Sequence, residues 1–371
     1  MGPVPNPDVI VIGGGIAGAS VAYELAADRA VLLLEAEDSL ALHSTGRSAA
    51  TSIPGHGSAV FRALTRESAA RFAALPAELD APPFLTPMRI VWAAFDDDGE
   101  RLLERDLAEW AGEPDAPRPL TAAETTAAVP GLRGARAGAF SDGAAAADAI
   151  GLHGAYVSGL RRRGGVVVKG ARVERIVRTG ADWQVTAGGR TRTAPDVVDA
   201  AGAWADDVAA LAGVPRAGLV PHRRTIAVSP CAVPPGMPML KDAADRFYSK
   251  PEGDALLLSP ADETPCAPGD VRPDELDVAL ALERVEEVLG LGLRSIRTSW
   301  AGLRTFAPDR DPVVGAWAGH PGFHFFAGQG GSGIESAPAL AALGAAVVTA
   351  TPVTGEVSAA RVSPERLVSA R

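Results

Sequence analysis

The chain has 371 residues, 47% of them hydrophobic and 22% charged, with a formal net charge of −10. That length suggests roughly two domains, the composition is that of an ordinary soluble protein, and the negative charge gives no reason to expect nucleic acid as a partner. The two cysteines, Cys231 and Cys266, lie in proline-containing segments without metal-ligand spacing, so two incidental thiols and no metal centre are expected.

Taken in chain order, the first predicted element is "DVIVI" (residues 8–12), a continuous apolar run suited to a parallel strand buried on both faces. "IAGASVAYELAAD" carries small and apolar residues at helical spacing, and "AVLLLEA" is a second buried strand, so the chain opens on a βαβ unit. From about Pro82, around "FLTPMRIVWAAFDDDGE", alternation and turns take over. Near Asp148 a helix, "AIGLHGAYVSGLRRRGG", leads into a strand, "VVVKGARVERIVRTG". "DWQVTAGG" and "APDVVDAAGAWADDVAALAG" then read as strand, turn and helix, and the stretch from about Val214 to Arg294 is richer in proline and broken strands. The last unit, "FHFFAGQGGSGIESAPALAALGAAVV", is one more strand, glycine turn and helix. No repeat with a solenoid or propeller period is visible. The N-terminus has no basic flank, and the apolar "ALAALGAAVVTA" falls well short of the roughly 20 residues of a membrane span. A cytoplasmic protein without a membrane span is expected.

Gly13, Gly15 and Gly18 form G-x-G-x-x-G directly after the first strand. Gly13 permits the tight turn, Gly15 lets the backbone approach a pyrophosphate, and Gly18 lets helix and strand pack closely. Glu35 closes the second strand, seventeen residues after Gly18, where a carboxylate accepts hydrogen bonds from ribose hydroxyls. This fingerprint serves NAD and FAD alike. Two later segments favour FAD. "HSTGRSAA" (residues 43–50) supplies hydroxyls and backbone N–H groups beyond the adenosine half, and "GQGGSGIES" (residues 328–336) reads as a second glycine-lined helix start. A helix N-terminus there would face the pyrimidine end of a flavin and stabilise its reduced, negative form.

With "VVDAAGAWA" and "WAGLRTF", these segments resemble the FAD-dependent D-amino acid oxidase family, which includes glycine and sarcosine oxidases, and within it the D-arginine dehydrogenases most. The likeness spans nearly the whole chain. It implies an α/β fold of the D-amino acid oxidase type: a Rossmann-like FAD-binding domain from residues 1–85, 141–215 and 295–371, and a mixed-sheet substrate domain from residues 86–140 and 216–294. It also implies FAD held without a covalent bond by Gly13, Gly15, Ala17, Gly18, Glu35, Ala36, Ser44, Thr45, Gly46, Arg47, Ser48, Ala49, Val173, Gly202, Gly330, Gly331, Ser332, Gly333 and Ile334. His43 stands where some relatives attach flavin covalently, but the adjoining "STGRS" is more similar to the non-covalent members.

The family oxidises an amine by hydride transfer from the carbon bearing nitrogen to flavin N5, and the imine hydrolyses to a keto acid and ammonia. The reoxidising acceptor is oxygen or another compound. A planar guanidinium is the natural clamp for the substrate carboxylate. Arg304 in "WAGLRTF" and Arg224 in "PHRRTIAVS" match carboxylate-binding arginines, and Tyr248 in "RFYSKP" matches a substrate-contacting tyrosine. Alternation independently puts Arg224 on one strand face with Ile226 and Val228, and Arg223 on the other. Gly331 and Glu335 are expected at the substrate end. In "TSIPGHG", His56 falls at a lid position and is expected to orient substrate or accept an amine proton near neutral pH, with a solvent-facing loop histidine as the alternative. Thr51 replaces an active-site histidine. Ile90 falls where the D-arginine enzymes carry a carboxylate for the guanidinium, so it is expected to line the side-chain end of the pocket and favour uncharged substrates over D-arginine. The functional expectation is oxidative deamination of an amino or imino acid with an uncharged side chain, and not D-arginine. A desaturase or monooxygenase on the same fold, or a non-catalytic flavin-binding protein, are the alternatives.

Overall fold

The computed structural model describes residues 7–370. Its first sheet has six strands in the order Val313–Gly315, Phe323–Ala327, Asp196–Asp199, Val9–Ile12, Val31–Leu34 and Val166–Val168. All neighbours run parallel except the edge strand Val313–Gly315. Because side chains alternate along a strand, the first strand serves two cores. Ile10 and Ile12 pack with Trp183 and Val185 of an antiparallel three-strand meander and with Ala205 and Val208 of the helix Ala205–Leu211. Val9 and Val11 pack with Val21 and Leu25 of the helix Ile16–Leu25, Leu64 of Ala59–Leu79, and Leu340 and Leu343 of Ala337–Val348. Covering both faces with helix and meander is what a parallel sheet requires.

The second sheet is mixed and has ten strands. Its long members are Leu85–Ala94, Ala137–Ala147, Val220–Pro230 and Thr298–Phe306. The helix Glu275–Leu289 buries Ala281, Val285 and Leu289 against Val91, Leu240 and Leu256 on one face. On the other face Ile90, Trp92, Ile226, Met239 and Tyr248 pack together. That second face is the one turned toward the cavities of the candidate site. Among the described residues no helix is long and apolar enough to cross a membrane.

Two elements differ from the sequence reading. The stretch "VVVKGARVERIVRTG" is not one strand: it breaks at Gly170, whose φ of +61° favours glycine. Val166–Val168 stays in the first sheet, and Val173–Thr179 starts the meander. The break is held by backbone bonds from Gly170 to Glu37 and from Ala171 to Glu35. The C-terminal helix starts at Ala337, after the glycines, with Pro in its first turn, where a missing N–H and a fixed φ suit a helix start. The intervening residues form a separate turn closed by Ser336 N–H donating to the Ser332 carbonyl.

Candidate active site

The glycine turn is built by contacts that only a missing side chain allows. Gly13 has φ +107°, and an ideal Cβ there would lie 2.4 Å from the Ala200 carbonyl oxygen. A Cβ on Gly18 would lie 1.8 Å from the Gly13 oxygen, whereas one on Gly15 would meet only Thr45 Oγ1, at 3.4 Å. Gly13 and Gly18 therefore make the turn, and Gly15 is the open position. The helix has no side-chain cap of its own; instead Ile16 N–H donates to Thr45 Oγ1 at 3.0 Å. Among the described residues, the N–H groups of Gly15 and Ala17 donate to no protein group. Glu35 Oε2 accepts from Gly14 N–H at 2.7 Å and Oε1 from Glu37 N–H at 2.9 Å, which fixes the carboxylate while leaving a lone pair on each oxygen. His153, on the helix Ala149–Arg162, donates from Nε2 to the Gly14 carbonyl at 2.9 Å. Sequence reading missed it, because no local motif joins residues 139 positions apart.

These groups open on a cavity of about 290 Å³ that runs from the glycine turn to the second sheet. Of the residues expected to hold FAD, its wall contains Gly13, Gly15, Ala17, Glu35, Ala36, Ser44, Thr45, Arg47, Ser48, Ala49, Val173, Gly202, Gly330, Gly331, Gly333 and Ile334. Three do not line it. Gly18 and Gly46 are packing glycines, the latter because its Cβ would lie 2.7 Å from the Ala41 oxygen. Ser332 faces a second, smaller cavity. The Arg47 guanidinium is spent on protein: it donates to the carbonyls of Val271 and Ala301 at 3.0 Å and pairs with Asp270.

The smaller cavity, about 140 Å³, shares Ala49, Arg224, Arg304 and Gly331 with the long one. Arg224 and Arg304 come from neighbouring antiparallel strands, in which Arg224 faces Gly302 and His222 faces Arg304. The two-residue offset puts both guanidinium groups on one face. Gly331 gives Arg304 its place, since a Cβ there would lie 3.1 Å from the guanidinium carbon. Arg224 is 4% exposed and is held by its own protein, donating to the Asp262 carbonyl at 2.7 Å and to Glu263 Oε1 at 3.0 Å. Arg304 has no such partner among the described residues. Burial, and then the neighbouring Arg224, push its guanidinium below the ordinary value. The Tyr248 hydroxyl is likewise buried without a partner, and Tyr248 lines the same cavity. An unpaired buried cation beside an unpaired hydroxyl is a site for an anion.

Thr51, His56 and Glu335 line this cavity too, and so do Met239, Lys241, Asp245, Glu263, Phe306 and Arg310, which the sequence reading did not single out. Ile90 does not. It is fully buried among Trp92, Met239 and Tyr248, and Met239, its partner across the strand pair, takes the wall position. Ile90 is on the sheet face turned toward the cavity, but Met239 and Tyr248, which pack against it, form the wall and cover it.

The surroundings of His56 disfavour its protonated form near neutral pH. Burial, with Lys241 and Arg304 adding to it, lowers its pKa to about 3. The unfolded chain therefore binds this proton more readily than the folded one. The contribution to stability is complete above about 6.5, the ordinary value for histidine, and is lost progressively as pH falls from there. Denaturant unfolding of His56→Asn between pH 4 and 7 is expected to show a shallower acid loss than wild type. An equal slope in both proteins would mean that His56 does not face these cations.

A parallel, nucleotide-type sheet with a cavity at its glycine turn, joined at four shared residues to a smaller cavity lined by buried cations, is a dinucleotide-binding arrangement with a second pocket at its far end. The chain belongs to the FAD dependent oxidoreductase family known as DAO, whose model matches residues 8–347. The same fold recurs in glycine oxidase from Geobacillus kaustophilus, with TM-score 0.86, 23% identity, and coverage of 96% of this chain and 98% of that one. L-proline dehydrogenase from P. horikoshii has TM-score 0.87 and 19% identity over 99% of each chain. Iminodiacetate oxidase from Chelativorans sp. BNC1 has TM-score 0.81, 22% identity, and coverage of 96% and 98%. The protein is thus an FAD-dependent oxidoreductase. The residues fit that cofactor: Gly15 and Ala17 offer free N–H donors for a pyrophosphate, and Glu35 is fixed for a ribose.

Proposed function

We propose that this protein oxidises the carbon–nitrogen bond of an amino or imino acid with an uncharged side chain, and not D-arginine. The observation that carries this reading is the buried, unpartnered guanidinium of Arg304, on the wall shared by the two cavities, near the orphan hydroxyl of Tyr248 in the smaller one. Arg304 and Tyr248 bind the substrate carboxylate, and Arg224, braced by Asp262 and Glu263, adds to the field that holds it. FAD, held along the long cavity, would supply the hydride acceptor. As the carbon bearing nitrogen loses its hydride, the nitrogen lone pair forms the C=N bond, and water would hydrolyse the imine of a primary amino acid to a keto acid and ammonia. Ile53, Phe61, Met239 and Phe306 supply apolar wall for a side chain.

The side-chain end of the cavity does not suit D-arginine. Arg224, Arg304, Arg310 and Lys241 line the cavity, and its Glu263 and Asp245 are already paired with cations. A substrate guanidinium would enter a positive field in which, of the three carboxyl groups, only Glu335 is left unpaired among the described residues. A non-covalent FAD is supported by His43, whose Nε2 lies 3.2 Å from Glu37 Oε1, and by Cys231 and Cys266 standing outside both walls. We assign residues 1–85, 141–215 and 295–371 to the cofactor domain and the rest to the substrate domain, with Thr51–Ser52, the end of Ala137–Ala147 and Thr298–Phe306 reaching from the first into the mixed sheet, and we place the reaction in the cytoplasm.

The test is anaerobic bleaching of the flavin by a panel of D- and L-amino acids, N-methyl amino acids and cyclic imino acids. Aliphatic or cyclic substrates are expected to reduce it, with each buried methylene contributing about 0.8 kcal/mol, so the preference is broad. D-arginine and D-lysine are expected to be the poorest. A preference for D-arginine, or no reduction by any of them, overturns the reading.

A further inference from the structure

Three carboxyl groups line the small cavity, those of Asp245, Glu263 and Glu335, and two of them are already committed. Glu263 accepts from Arg224 and Arg310, and Asp245 lies 3.2 Å from the Lys241 ammonium. Glu335 differs. It is 2% exposed, its Oε2 is anchored by the Ile53 N–H at 2.8 Å, and among the described residues no arginine or lysine lies within ion-pair distance of it. It directly follows the segment in which Gly331, Gly333 and Ile334 line the long cavity, while Gly331, Ser332 and Glu335 line the small one. Its carboxyl group lines the small cavity within electrostatic reach of Arg304, a residue of the wall shared with the long one.

An amino acid reaches the site as an ammonium ion, and hydride departure from the adjacent carbon needs the nitrogen lone pair. Some group must take the proton. His56, the histidine of this cavity, is held neutral by burial and by Lys241 and Arg304. We propose that the Glu335 carboxylate takes it. The substrate N–H bond breaks, the proton goes to a Glu335 oxygen, and the electron pair left on nitrogen supplies the C=N bond as the hydride leaves for FAD. The proton returns to solvent with the product. This step rests on the amino-acid reading above. The ionisable groups sharing the cavity with Glu335 are Arg224, Arg304, Arg310, Lys241, Asp245, Glu263, His56 and Tyr248. Burial raises Glu335 to about 7, with the Ile53 N–H, Ser332 and Arg304 acting against it. Ionised above that pH, it is poised to receive a proton near neutrality.

The experiment uses the holoenzyme and the best substrate of the panel. In wild type, kcat/KM for flavin reduction is expected to rise with pH through about 7. In Glu335→Gln, which keeps an acceptor for the Ile53 N–H, that limb is expected to vanish. The value at pH 7 should fall about 100-fold or more and recover about tenfold per pH unit toward the pKa of the free amine. Binding of a carboxylate without an amine, read from the flavin absorbance, should be unchanged. In the infrared, wild type above pH 7 should gain a carboxylic-acid C=O band on binding a non-oxidisable amino acid, and Glu335→Gln should not. An equal loss at every pH together with weaker carboxylate binding would overturn the proposal in favour of a structural role. So would a wild-type profile flat between about pH 5 and 9, which needs no variant. If no amino or imino acid reduces the flavin, the functional reading itself fails; if one does and Glu335→Gln keeps the wild-type profile, the Glu335 proposal alone fails.

Discussion

Arg304→Met is expected to lower the efficiency of flavin reduction by about 30- to 5,000-fold, the equivalent of about 2–5 kcal/mol for losing one partner of a buried, hydrogen-bonded charge pair. The same change should leave the fold as stable as before or more so, because it removes a buried guanidinium that the protein itself does not pair. Arg224→Met should behave differently. It strands the Asp262 carbonyl and leaves Glu263 to Arg310 alone, so a stability loss of about 1–3 kcal/mol is expected in denaturant, with a smaller fall in efficiency. Stopped-flow reduction at low substrate and urea unfolding on the same preparations separate the two arginines. Both variants reducing as fast as wild type would mean that the carboxylate is held elsewhere.

The second large effect lies in the glycine turn. Gly18→Ala puts a carbon where the Gly13 carbonyl oxygen would be 1.8 Å away, and both atoms belong to one tight turn that cannot spread. A destabilisation above about 4 kcal/mol is expected, read as loss of soluble yellow protein. Gly15→Ala meets nothing nearer than Thr45 Oγ1 at 3.4 Å, so the apoprotein should fold normally. Its new methyl group stands at the cavity wall, and FAD affinity should drop, measured by titrating apoprotein with the cofactor. Wild-type yield from Gly18→Ala would refute the packing argument. Unchanged affinity in Gly15→Ala would move the pyrophosphate away from this turn.

Much of the first sheet was legible because its strands are short, apolar and bounded by glycine. The residues that make the turn, Gly13 and Gly18, and the residue that closes the second strand, Glu35, lie within one βαβ unit. Alternation also placed Arg224 correctly in space: it lines the cavities with Arg304, while Arg223 turns away to Asp262 and Asp277. The expectation for Ile90 rested on resemblance and not on alternation, and it missed that Met239, brought alongside by a strand distant in sequence, forms the wall in its place. Lys241, Asp245, Glu263 and Arg310 were not legible either, because they reach the cavity from turns and strand ends without a motif. Three long helices went unread although their signals are present. Ser58, Asp96 and Asp274 cap Ala59–Leu79, Asp97–Trp110 and Glu275–Leu289, and Gly290 ends the last with φ +58°. Proline and charge in those stretches obscured the helical periodicity.

The strand order of the first sheet also bears on how the chain is made. Asp196–Asp199 is flanked by Val9–Ile12 on one side and by Phe323–Ala327 on the other. On the ribosome, the first flank is present from the start and the second arrives last. At about 5–20 residues per second, the intervening stretch of well over a hundred residues takes roughly 6–25 s to synthesise. Throughout that interval one edge of a buried strand has unpaired backbone donors and acceptors, the kind of edge that recruits other chains. Yield in a cell should therefore depend on elongation rate and chaperone supply more than on the stability of the finished fold, and slowing translation before residue 323 should lengthen the exposure.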